Sequence, residues 1–109
     1  MAKRKDHGKD NLLDLDGDRY YVDDRGEFEV IFKVSRITVT KERPHGLSYS
    51  LLLLNAKGDR VVCFDNAHAV TTHSARYDHK HVRDRVSPYE FMDALTLLHD
   101  FWEEVDKCI

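Results

Sequence analysis

Eight residues constrain this chain more than any others: Leu47-Ser48-Tyr49-Ser50-Leu51-Leu52-Leu53-Leu54. The run is strongly apolar. Turn signals close it at both ends, Arg43-Pro44-His45-Gly46 before it and Asn55-Ala56-Lys57-Gly58-Asp59 after it. Four successive leucines suit either a helix or a strand, but so short a run between turns has the length of a strand. The expectation is a strand buried on both faces.

The flanking segments also read as strands. Arg19–Asp23 is aromatic and β-branched, which suits extended chain. The Asp24-Arg25-Gly26 turn follows, with Gly available for positive φ. Phe28, Val30, Phe32 and Val34 then alternate with mostly polar neighbours, the period of a half-buried strand. Beyond Ser35 the apolar positions become Ile37 and Val39, so the parity changes, and a bulge or bend near Ser35 is expected. Arg60–Asn66 reads as the strand after the leucine run, joined to it by a hairpin loop containing Gly58. Residues 69–86 lack periodicity and read mostly as loop.

Near the C-terminus Leu95, Leu98, Trp102, Val105 and Ile109 recur at helical spacing, with Leu97 and Phe101 widening the apolar face. Two starts are open. Ser87 can cap a helix that has Pro88 at its first position and Glu90 three residues on, or Asp93 can be the N-cap. Together these segments predict an α+β fold, an antiparallel sheet of about four strands with one C-terminal amphipathic helix packed on it. A flexible charged N-terminal tail over residues 1–11 precedes a single domain over 12–109.

Charge and composition narrow the function. A formal net charge of −3 over 109 residues gives no global positive field for nucleic acid. No apolar run approaches the roughly 20 residues that span a bilayer. No apolar stretch follows the basic Met1-Ala2-Lys3-Arg4-Lys5, so no signal peptide is read there and the cytoplasm is the expected compartment. Cys63 and Cys108 have no metal-site or redox spacing, and read as a small buried residue and an incidental thiol.

Chemistry concentrates in Phe64–His81, which holds His68, His73, His79 and His81, four of the seven histidines. Asp65, Asn66 and His68 emerge at the end of a core strand, where a rigid mount suits a site. Metal-independent RNA cleavage needs a base for the 2′-OH proton, an acid for the leaving 5′-oxygen and positive charge for the phosphorane-like transition state. Imidazoles fill both proton roles near neutral pH. His68, His79 and His81 are the candidates for them, with Asp65 orienting a histidine and Asn66 beside it. Arg76, Lys80, Arg83 and Arg85 are the candidate RNA contacts, and Tyr77 or Tyr49 the base-stacking residues. Asp65 and Asn66 are equally good turn-capping residues. His79 and His81 with His68, His73 or Asp65 also make a loose three-ligand set of the zinc type. None of the stronger zinc motifs is present, so no metal and no cofactor is assigned. A non-enzymatic module that binds a protein or nucleic acid and assembles with a neighbouring regulator stays open beside the enzymatic reading.

One resemblance adds to these readings. Phe64-Asp65-Asn66-Ala67-His68, with Tyr49-Ser50-Leu51 upstream and His79-Lys80-His81 downstream, resembles the TumE family of toxins from prokaryotic toxin–antitoxin pairs. Pro88-Tyr89-Glu90-Phe91 and the closing helix Leu97–Val105 extend the likeness to about residues 43–107. The resemblance implies a small cytoplasmic toxin paired with a cognate antitoxin, usually a helix-turn-helix protein. It also implies a distant kinship in style with RelE-like toxins, which cleave mRNA. Asp65, Asn66, His68, His79 and His81 match the family's recurring polar positions.

Overall fold

The computed structural model describes residues 7–41, 43–66 and 78–109. The elements in chain order are α1 (His7–Asp14), β1 (Arg19–Tyr21), β2 (Glu29–Arg36), β3 (Leu47–Leu54), β4 (Arg60–Asp65), β5 (His79–Val82), β6 (Arg85–Pro88) and α2 (Ala94–Cys108). The strands form one six-stranded sheet in the order β1-β2-β3-β4-β5-β6, each antiparallel to its neighbour. The α+β class is as expected, with six strands in place of about four. The extra pair is the β5–β6 hairpin, inside the segment read mostly as loop. Its polar strands carry no apolar alternation to reveal them.

β3, the leucine run, lies inside the sheet between β2 and β4. Its burial alternates: Leu47, Tyr49, Leu51 and Leu53 are buried, while Ser48, Ser50, Leu52 and Leu54 are only partly covered. It is therefore fully buried on one face, not on both. Val30, Phe32 and Val34 of β2 and Val62 and Phe64 of β4 share the buried face. Both helices pack there. Leu12 of α1 and Ala94, Leu97, Phe101 and Val105 of α2 complete the core. Burying each large apolar side chain is worth about 1.5–3 kcal/mol, so this one layer supplies most of the stabilisation. Phe101 is edge-on to both Phe32 and Phe64, at centroid distances of 5.8 and 6.0 Å.

Several details differ from the sequence expectations. β2 pairs with β3 in unbroken register from Glu29 to Arg36 and then ends, so the parity change at Ile37 marks the exit from the sheet and not a bulge. The register shift falls instead between Leu53 and Leu54, against β4. The chain is helical from His7, and Leu12 reaches the core. The stripe of α2 is centred on Ala94, Leu97, Phe101 and Val105, while Leu95 is 58% and Ile109 49% exposed. Of the two possible starts, the helix uses Asp93, whose carboxylate accepts from the Thr96 amide at 2.7 Å. Ser87 and Pro88 belong to β6, an edge strand where a missing N–H is tolerated.

Candidate functional site

Strand alternation divides the polar residues of β4 and β5 between two faces. The register sets Asp65 against His79 and Cys63 against His81, with Ser50 beside Asp65 on β3. Asp65, His79 and His81 therefore meet on the face opposite the helices. His79 Nε2 lies 3.0 Å from Asp65 Oδ1, and both side chains are buried. The imidazoles of His79 and His81 are nearly perpendicular, with centroids 4.8 Å apart. His81 is the half-buried member, and Arg60 Nη2 lies 3.4 Å from its Nδ1. The Cys63 thiol donates to Asp65 Oδ2 at 3.3 Å. Burial first, then the charge of Asp65, pushes its pKa up to about 12, so it stays a protonated donor at neutral pH.

The other face holds a second polar group at the same end of the sheet. Tyr49 Oη donates to Asp78 Oδ2 at 2.6 Å, and His45 Nε2 approaches the same oxygen at 3.0 Å. The Leu47 amide donates to His45 Nδ1 at 3.3 Å, which leaves Nε2 as the protonated nitrogen facing Asp78. The ring of Phe91 packs on His45 at 4.1 Å. Asn66 is fully buried beside them. Its Oδ1 accepts from the Tyr49 amide at 2.9 Å and its Nδ2 donates to the Leu47 carbonyl at 2.7 Å. The side-chain amide thus continues the β3–β4 ladder one step past the end of β4. Arg43 Nε donates to the Asn66 carbonyl at 2.9 Å.

The sequence candidates therefore separate. Asp65, His79 and His81 are brought together. Asn66 is adjacent in sequence but points into the backbone network on the helix side. Tyr49 is 1% exposed with its hydroxyl held by Asp78, so it is not a base-stacking residue. Lys80 sits on the helix face, 5.9 Å from the centre of the Phe64 ring and 3.9 Å from Glu104. Arg85 lines the same shallow cleft as Lys80 and Glu104. Those two cations are thus on the opposite face from the imidazoles. Arg83 occupies the β5–β6 turn with φ 55°. His68, His73, Arg76 and Tyr77 lie outside the described residues. Sequence reasoning missed Arg60, His45 and Asp78. Strict alternation along β4 groups Arg60 with Val62 and Phe64, so no sequence signal sets it beside His81, and none pairs His45 with a residue 33 positions away.

Among the described residues no helix is long and apolar enough to cross a membrane. Comparison with known families gives a match. The family model described as Toxin TumE covers residues 9–109, nearly the whole chain. No curated protein and no solved structure matches the chain.

Proposed function

This chain belongs to the TumE toxin family, and from that premise we propose that it is a toxin acting on RNA through the imidazoles of the open sheet face. As a toxin of a toxin–antitoxin system it has an antitoxin partner, which we take to be a helix-turn-helix protein. The reading is carried by one observation: two adjacent imidazoles, His79 and His81, with the buried Asp65 carboxylate 3.0 Å from His79.

The chemistry follows from that arrangement. His81 is the more accessible ring and meets the ribose and phosphate. One neutral imidazole takes the 2′-OH proton as the 2′-oxygen attacks phosphorus. A protonated imidazole gives its proton to the departing 5′-oxygen, which leaves a 2′,3′-cyclic phosphate. The Asp65 carboxylate, 3.0 Å from His79 Nε2, orients that ring. Arg60 offers positive charge beside His81 for the phosphorane-like state. His68, two residues beyond Asn66, enters the proposal from the sequence as a third proton-transfer candidate.

The test is incubation of the purified protein with single-stranded RNA in the presence of a chelator, beside expression in cells without the antitoxin. The expected result is cleavage to cyclic-phosphate ends and growth arrest, both relieved in His79→Ala and His81→Ala. Intact RNA, or variants at His68, His79 and His81 all as toxic as the parent, would refute the reading.

A further inference from the structure

We propose that Asp65, His79 and His81 form a binding site for a divalent transition-metal ion of the zinc class. One ligand atom from each lies within 4.8 Å of the other two. The grouping is built into the sheet. His79 and His81 are alternate residues of β5, so they share a face, and the β4–β5 register sets Asp65 directly across from His79. Zinc holds imidazole nitrogens and carboxylate oxygens at about 2.0–2.2 Å, which puts neighbouring ligand atoms of a tetrahedron roughly 3.3 Å apart. The observed separations, from 3.0 Å between Asp65 and His79 up to the 4.8 Å limit, bracket that spacing.

The surroundings fit the donor set. Two imidazoles and one carboxylate leave a fourth position for water, the pattern of zinc sites that are not purely structural. Asp65 Oδ1 is buried and has no aligned hydrogen bond among the described residues. Asp65 Oδ2 is held by the Cys63 thiol. One oxygen is therefore fixed by an outer partner while the other faces the imidazoles, which is how supporting residues orient a ligating carboxylate. Arg60 beside His81 opposes a cation, and it is the described group whose removal should strengthen binding. A second histidine–carboxylate group, His99 with Asp100 and Glu103, lies on the exposed side of α2 and serves as an internal control.

Binding stands apart from the ribonuclease reading, but its consequence rests on that reading. A bound ion takes up the imidazole lone pairs needed for proton transfer, so it would inhibit RNA cleavage.

Zn²⁺ titration of the full chain against a chromophoric chelator, with Co²⁺ absorption to report a tetrahedral field, tests the site. One equivalent should bind. Asp65→Asn and His81→Ala should each weaken binding by roughly tenfold or more, as loss of even a supporting residue does elsewhere. Arg60→Gln should tighten it, and His99→Ala should leave it unchanged. Circular dichroism identifies variants that remain folded, and the half-buried His81 is the position where folding is least at risk. No saturable binding, binding retained in folded His81→Ala, or binding lost in His99→Ala would overturn the proposal. Zinc bound by a protein that leaves RNA intact even after the ion has been removed by a chelator supports the site and refutes the ribonuclease. Cleavage by a protein that binds no metal does the reverse.

Discussion

Truncating Asn66 to Ala separates a structural from a chemical role for the Asp-Asn pair. The Asn66 side chain makes two hydrogen bonds, accepting from the Tyr49 amide at 2.9 Å and donating to the Leu47 carbonyl at 2.7 Å. Both partners lie in the buried part of β3, where Leu47 is 0% and Tyr49 1% exposed. Removing the amide leaves a buried donor and a buried acceptor unmet, each at about 1–3 kcal/mol. The two together cost about 2–6 kcal/mol, out of the roughly 5–15 kcal/mol that holds a domain of this size folded. Even the low end lowers Tm by roughly 8 °C. Urea unfolding followed by Trp102 fluorescence should show the midpoint falling with an unchanged slope. Asn66→Asp sharpens the test, because it keeps an acceptor for the Tyr49 amide but turns a second oxygen toward the Leu47 carbonyl. Only a protonated carboxyl can donate there, so the folded state raises that carboxyl's pKa. The lost stability should return below the unfolded value of about 3.9 and disappear as pH rises above it. An Asn66→Ala protein with an unmoved midpoint and abolished toxicity would refute the reasoning and make Asn66 a chemical residue.

Two further outcomes follow from the geometry. Arg83 holds a left-handed φ of 55°, which costs an L residue about 1–2 kcal/mol, so Arg83→Gly should leave thermal stability unchanged or raise it by up to about 1 kcal/mol, and a marked loss of Tm would show that the side chain stabilises the turn. Burial first, then Asp78, pushes the Tyr49 pKa up, so its contribution is complete below the unfolded value of about 10 and falls above it by about 1.4 kcal/mol per pH unit; Tyr49→Phe should flatten the alkaline arm of the stability profile by that slope, and an unaltered slope would contradict the assignment.

The parts of the fold that bury apolar surface were legible. β2, β3, β4 and α2 each announce themselves by period, because one face of each must avoid water. β5 and β6 were not, because His79-Lys80-His81-Val82 has no apolar alternation and is held by backbone pairing. The same limit applies to the site. Clustering in sequence identified Asp65, His79 and His81, and β5 brings them onto one face. It also grouped Lys80 with them, whereas the pleat turns that residue to the helix side. His45 and Asp78 could not be paired in advance, since only the folded sheet brings them within 3.0 Å. The stripe of α2 was misplaced by one position because Leu95 and Leu98 are as apolar as Leu97. Only packing against Phe32 and Phe64 selects Phe101 as its centre.

Tyr49 has a consequence for how this chain tolerates change. Its backbone and Leu47 receive Asn66, and its hydroxyl receives Asp78. The end of β4 and the start of β5 are therefore both riveted to β3, which fixes the frame in which the two strands meet. A single residue added inside β5 would invert that strand, bringing Lys80 to the Asp65 carboxylate and an imidazole against Phe64. A change of length between Asp78 and Val82 should therefore be ruinous.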